Sequence, residues 1–410
     1  MDDLLQHPVV RDRRVFRDLG QFPSDDQQPR TGEPLALLTG SSMLGGAQVT
    51  FIELAHACRA VGFDPTLVIC RPHTAHPEIY RLYREFPTRR MTYDDFARLP
   101  KDQFARTHLF AQGLYRAGAG AFLLKLMAHH RFRSVSLRHA SSCGLYPLRD
   151  WLHPAVQHIW VNSLFASRFD QDAADRPVRI HVLPPHISFA YWHRDPTARR
   201  SAWRAGCLTA GRAQRPDVHK FDPKVYRQWD QLRFMNVRFR SLGRDPRGLE
   251  PDWWEVLPFA SMDARDFYGS LDVLLYQTDR TCQEAAGRVV IESMAQGVIP
   301  VVHDWGGMAE YIHHGQDGFV YHTWTDAKAI LSYLRDDLAA RRRISDAAIE
   351  TAQRYDVSRY AAALWGSLHE AALDPLVYQE PRPGDYGKRP PVSLVAGMPI
   401  VRRRPVRQKA

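Results

Sequence analysis

The sequence predicts an α/β protein built from two doubly wound parallel-sheet domains, and three observations carry that prediction. Residues 34–38 (PLALL) are an apolar run, followed by a loop with Gly40, Gly45 and Gly46, a helical stretch from about Gln48 to Val61, Gly62, and a second apolar run from Thr66 to Cys70. That order is strand, glycine-rich loop, helix, strand. The same unit recurs late in the chain, where Val273 to Tyr276 and Val298 to Val302 bracket a loop and a short amphipathic segment ending at Gly297. Finally, 410 residues is more than one ordinary core holds and fits two.

The elements follow in order. Residues 1–33 are polar and mixed in charge, and read as an irregular arm. The first domain, 34–195, continues with strands expected at 107–111, 134–138, 158–162 and 179–183, the last stopped by Pro184 and Pro185. Between 71 and 130 only THLFA (107–111) reads as an element. The second domain, 196–355, has expected strands at 208–210, 238–242, 254–257, 273–276, 298–302 and 318–321, with helical segments near 326–354 and 357–372. From 374 to 410 the chain is rich in Pro, Gly and Arg and is expected to lack regular structure.

Composition narrows the class. A hydrophobic share of 44% with 24% charged residues is that of a soluble globular protein. No apolar run of membrane-spanning length is present, and none in the first 33 residues resembles a signal peptide. Five scattered cysteines without CxxC spacing suit reduced thiols in a cytoplasmic protein, not a disulfide framework or a zinc site. Of the net charge of +10, residues 381–410 contribute +7, from eight basic residues and Asp385, which leaves 10 − 7 = +3 for the rest. The basicity therefore belongs to the tail. It suits peripheral contact with anionic lipid and, equally, nonspecific nucleic acid; no motif specifies a nucleic-acid sequence.

The chemistry concentrates in TCQEAAGRVVIESMAQGVIPVV (281–302). Glu284 falls in the loop and Glu292 about one turn into the following helix, so both carboxylates can face one crevice at the carboxyl end of the sheet. The positive end of the helix lies between them. Two acceptor groups flanking an anion site suit a ligand with hydroxyls at its ends and phosphates in its middle, which describes a nucleotide sugar.

This stretch resembles the donor site of retaining glycosyltransferases of family four. The matching residues are Glu284, Gly287, Glu292, Ala295, Gly297, Pro300, Val301, then Gly306, Gly307 and Glu310, with Gly315 and Gly318 beyond. The resemblance implies GT-B architecture: two Rossmann-like domains with a cleft between them, and a last helix, here 356–373, crossing back to the first domain. It implies a nucleoside diphosphate sugar (UDP or GDP) as donor, a hydroxyl acceptor, carbohydrate or lipid-linked, and no metal or other cofactor. Glu292 would accept hydrogen bonds from the ribose. Glu284 would sit at the transferred sugar, and the loop amides of Ala286, Gly287 and Arg288 would meet its oxygens or those of phosphate. In CLTAGRAQRPDVHK (207–220), an arginine and a lysine would hold the diphosphate; Lys220 is eight residues after Arg212 and five after Arg215, so Lys220 with Arg212 is the expected pair and Arg215 the substitute. Gly45 and Gly46 resemble the family's loop after the first strand, and His139, with Arg138 as a weaker neighbour, the histidine near the transferred sugar. Ser163 matches a segment that reads as structural. Ala285 and Ala286 stand where the family has Gly-Phe, which restricts the loop and removes an aromatic contact.

Other motifs carry nothing. His129–His130 and His313–His314 are adjacent pairs that cannot supply two ligands from one helix face. There is no P-loop, Asp-x-Asp or G-x-S-x-G elbow. Trp192, Trp203, Trp253 and Trp254 read as core. The reading that follows is a cytoplasmic glycosyltransferase, peripheral at a membrane face and serving envelope or exopolysaccharide assembly; the alternative is a catalytically silent nucleotide-sugar-binding or scaffold protein.

Overall fold

The computed structural model describes residues 32–39, 46–69, 77–112, 117–139, 158–161, 179–182, 185–217, 220–279, 284, 286–369, 375–376 and 392–394. The first domain contains β1 (Glu33–Thr39), α1 (Gly46–Ala60), β2 (Phe63–Ile69), α2 (Pro77–Glu85), β3 (Arg89–Thr92), α3 (Tyr93–Ala97), α4 (Lys101–Arg106), β4 (His108–Gln112), α5 (Ala117–His129), β5 (Ser134–His139), β6 (His158–Val161) and β7 (Arg179–Val182). Next come α6 (Phe189–Trp192) and α7 (Thr197–Ser201). The second domain runs through β8 (Leu208–Ala213), α8 (Pro223–Trp229), β9 (Val237–Leu242), β10 (Glu255–Leu257), α9 (Ala264–Gly269), β11 (Val273–Tyr276), α10 (Arg288–Met294), β12 (Ile299–His303), β13 (Phe319–Tyr321), α11 (Trp324–Asp336) and α12 (Leu338–Arg354). The chain returns through α13 (Val357–Leu368), then β14 (Pro375–Leu376) and β15 (Val392–Leu394).

Both sheets are doubly wound. The first has the order β14-β15-β7-β6-β5-β4-β1-β2-β3 and the second β10-β9-β8-β11-β12-β13. Every pairing is parallel except β14 with β15. The strand order reverses between β1 and β4 in one sheet and between β8 and β11 in the other, the switch points at which such sheets bind ligands. Central strands are apolar runs because helices cover both of their faces: all of VLLY in β11 is buried, with Val273 and Leu275 in one core cluster and Leu274 and Tyr276 in another.

Two expectations are corrected. Between 71 and 130, where only 107–111 is expected, the chain also forms α2, β3, α3, α4 and α5. The tail is not wholly without regular structure, since Val392–Leu394 pairs with β7 and Pro375–Leu376 with β15. Most of the tail, and residues 1–31, lie outside the described residues. No helix among the described residues is long and apolar enough to cross a membrane.

The crossing helix forms as expected. Ile187 and Asp356 make an isolated parallel bridge, with Val357 N donating to Ile187 O at 2.7 Å and Ile187 N to Tyr355 O at 3.1 Å, so the two passages of the chain between domains run side by side. Asp356 caps α13 through Ser358 N, and its other oxygen accepts from Phe189 N. Trp365 of α13 then stacks edge-on against Phe63 at 4.6 Å, close over Gly62, whose φ of +101° turns α1 into β2.

Candidate active site

The loops after β8 and β11, at the switch point of the second sheet, bring Lys220 and Glu284 together. Lys220 Nζ forms an ion pair with Glu284 Oε2, with side-chain exposures of only 14% and 18%. Two further contacts fix the lysine's loop. Asp222 accepts from Lys224 N at 2.9 Å as the N-cap of α8, and its other oxygen accepts from Gln277 Nε2 at 3.3 Å, just beyond β11. Tyr321 donates to Gln277 Oε1 at 2.9 Å, tying in β13.

The glycines of the sequence motif have separate jobs. Gly307 N donates to the Glu284 carbonyl at 2.9 Å. Gly306 has φ of +94°, and a methyl group there would collide with the Glu284 backbone. Gly287, at φ +57°, packs so tightly on Met308 that a Cβ would lie 2.6 Å from Met308 Cγ. Tyr311 donates to the carbonyls of Ala286 and Gly287. The double-glycine turn thus sets the backbone of the Glu284 loop. Gly318 faces Pro300, with room for no Cβ, which explains physically why these two motif positions go together. Gly306→Ala is expected to cost about 1–3 kcal/mol from left-handed strain and this collision; urea denaturation checks it, and an unchanged midpoint would remove the positioning role.

Arg212, the expected partner of Lys220, has its side chain engaged elsewhere. It is fully buried, donating to Tyr226 Oη at 3.2 Å and lying 4.6 to 5.5 Å from the rings of Phe221, Tyr226, Trp229 and Trp254. Tyr226 Oη in turn donates a hydrogen bond to Asp245 Oδ2 at 2.7 Å, and although burial pushes the Asp245 carboxyl up, hydrogen bonds from Arg247 outweigh it and hold it below the usual range. The aromatic box therefore takes Arg212 away from the crevice. Arg215, half-buried in the loop after β8, makes no ion pair with the described residues.

Glu292 is not an open acceptor. It is 6% exposed; Oε1 accepts from Arg288 Nε at 2.6 Å and Oε2 from Tyr268 Oη at 3.2 Å. Burial and the Glu292 charge push Tyr268 well up, so its hydroxyl keeps its proton. Arg288, expected at the donor through its amide, spends its side chain between the domains. It donates to Glu53 Oε1 at 2.6 Å, Thr50 Oγ1 at 3.1 Å and the His186 carbonyl at 2.9 Å. Glu53, on α1, also accepts from Trp192 Nε1 at 2.9 Å and Ser188 N at 2.7 Å. Burial pushes Glu53 up against the pull of Arg288, while Arg288, which burial would lower, is held up by Glu53 and Glu292; the guanidinium carries the charge. Sequence reading missed this cluster, although an Arg–Glu pair at i, i+4 and a lone glutamate inside an apolar helix were its visible signs.

The remaining candidates divide. Gly46 opens α1, and a methyl group there would lie 3.6 Å from Arg288 Cδ, so the first-domain glycine loop ends beside the α10 segment. Gly45, Ala285, Ser163 and the His139 side chain lie outside the described residues; the backbone of His139 ends β5. Arg138 is buried with its guanidinium 5.8 Å from the Tyr360 ring. Trp192, Trp203 and Trp254 are core residues, and Trp253 donates to Asp230 at 2.7 Å.

Residues 252–351 match the sequence model of the family "Glycosyl transferases group 1". Among solved structures, Anabaena HepE in complex with UDP and glucose is similar at 16% identity and TM-score 0.66, over 82% of this chain and 99% of that one. The sucrose-phosphate synthase of Thermosynechococcus elongatus is similar at 12% identity and TM-score 0.60, over 83% and 100%, and TarM at 9% identity and TM-score 0.63, over 82% and 98%. Among curated proteins no relative matches the sequence. The fold is GT-B, and the family match supports a glycosyltransferase.

Proposed function

We propose that this chain is a retaining, metal-independent glycosyltransferase that moves a hexosyl group from a UDP- or GDP-sugar to an acceptor hydroxyl in the cleft between the domains. The observation that carries the reading is the Lys220–Glu284 pair held at the switch point of the second sheet. A leaving diphosphate needs fixed positive charge, and the electron-poor anomeric carbon needs a carboxylate; this loop pair offers one of each. Lys220 neutralises the diphosphate, assisted by Arg215. Glu284 grips the sugar hydroxyls and stabilises the positive charge that develops as the anomeric C–O bond to phosphate breaks. The acceptor oxygen bonds the same carbon from the same face, and its proton passes to the departing phosphate oxygen, so no side-chain base is required. HepE, similar in fold, has been solved with UDP-glucose, which supports a UDP-sugar as the first donor to try.

The test is incubation with UDP-glucose and GDP-mannose, with and without EDTA, following nucleotide release by chromatography. Release that is indifferent to EDTA is expected; strict dependence on an added divalent metal would overturn the metal-independent mechanism. The silent-binder reading draws on Glu292, whose two oxygens are already engaged by Arg288 and Tyr268. Calorimetric UDP binding with no turnover of any donor would favour it.

The two arginines make a sharper prediction. Arg215→Ala is expected to weaken UDP binding about 10-fold or more, the worth of one charge-assisted hydrogen bond. Arg212→Met, which keeps an apolar side chain in the aromatic box, should leave binding unchanged. Titration calorimetry decides, and the reverse order of effects would return Arg212 to the site.

A further inference from the structure

We propose that Glu33, His108 and His369 form a zinc site that fastens the crossing helix to the first domain, at the end of the sheet opposite the cleft. Glu33 opens β1 and His108 opens the neighbouring β4, with His108 in register with Leu35. His369 caps the carboxyl end of α13. Glu33 Oε2 lies 3.2 Å from His108 Nε2 and 2.7 Å from His369 Nε2, and the three donor atoms fall within 4.8 Å of one another. Tetrahedral zinc with bonds of about 2.0–2.1 Å sets its ligand atoms about 3.3 Å apart, close to the two Glu33–histidine distances.

Hydrogen bonding within the cluster calls for a cation. His369 Nδ1 is 2.8 Å from the Trp365 carbonyl, which can only accept, so Nδ1 carries the proton. In the neutral ring, Nε2 then points a lone pair at a carboxylate oxygen 2.7 Å away. Two lone pairs at that distance repel unless positive charge sits between them. On the other ring, Ser134 Oγ, 2.6 Å from His108 Nδ1, orients Nε2 toward the same oxygen. Such outer partners are what metal-ligating histidines use to fix tautomer and direction. Arg133 takes the other Glu33 oxygen at 3.1 Å and leaves Oε2 for the ion. The His108 side chain is 2% exposed, but Glu33 and His369 are 28% and 25% exposed, so a water can reach the fourth position. Two imidazoles and one carboxylate suit zinc among the abundant divalent ions, and exclude magnesium or calcium as the preferred guest.

The experiment is titration of the untagged full chain, stripped with chelator, with zinc chloride by calorimetry, alongside thermal unfolding with and without zinc. One zinc per chain is expected, with a rise in the wild-type melting temperature. His369→Gln, at a partly exposed helix cap, and Glu33→Gln should each weaken zinc binding about 100-fold and abolish the thermal shift while leaving UDP binding intact. A flat wild-type titration would overturn the proposal and leave a proton on His369 as the cation. Equal binding by wild type and His369→Gln would also overturn it, by placing the zinc elsewhere.

Discussion

Glu284→Ala is expected to lower turnover about 10²- to 10³-fold, the usual cost of removing one preorganised electrostatic group, without weakening UDP binding. The second half follows from the ion pair. Glu284 is a counter-charge of Lys220, so its removal takes a competing carboxylate away from the ammonium, and UDP affinity should hold or rise. Lys220→Ala should instead lower both turnover and affinity, the latter about 10- to 100-fold. Both side chains are partly exposed loop residues, so circular dichroism should show an intact fold. Steady-state kinetics with UDP calorimetry checks the pair of predictions. Full turnover in both variants would remove the assignment, and a parallel loss of UDP affinity in Glu284→Ala would show that the ion pair is part of the binding surface instead of a competitor to it.

Arg288→Met is expected to destabilise the protein by about 3–5 kcal/mol, because it strands Glu53 and Glu292 as buried carboxylates. Glu53 is fully buried, and the guanidinium is its only charged partner among the described residues. The loss should be partly recovered in the double variant Glu53→Met, Arg288→Met, since it removes one of the two stranded carboxylates and leaves Glu292 with Tyr268 alone. Urea denaturation of the two single variants and the double variant forms the cycle. A loss under about 1 kcal/mol for Arg288→Met would show that the buried charges can reach water, and that this cluster does not join α1 to α10.

Legibility in the sequence followed physical cause. The strands of both sheets could be read because parallel strands covered on both faces must be apolar throughout; β1, β11 and β12 are such runs. The edge strand β3, Arg89–Thr92, could not be, because RRMT lacks that signature. Two elements near it were legible and missed. Ile79, Leu82 and Phe86 recur at helical spacing along and just after α2, and all three are buried. Thr92 and Asp95 form a helix-capping pair at α3, with Asp95 N donating to Thr92 Oγ1 at 3.1 Å. In the site, the glycine spacing has a steric cause, because Gly306 and Gly287 are compelled by the Glu284 loop and Met308. Side-chain direction was the part spacing could not supply. Arg212 lies near the end of β8 and Arg215 just beyond it, yet Tyr226 and Trp229 of α8, with Phe221 and Trp254, claim the first. Glu292 stands at the expected position, but the arginine one turn before it draws it into the contact between domains.

The central claim is that the diphosphate of a nucleotide sugar binds at the carboxyl ends of β8 and β11. A crystal structure of the protein with UDP tests it most directly. The account predicts the β-phosphate about 2.7–2.9 Å from Lys220 Nζ, with Arg215 turned toward it and Arg212 still inside its aromatic box. UDP bound at the first sheet, or diphosphate held by Arg212 with Lys220 remaining on Glu284, would contradict it.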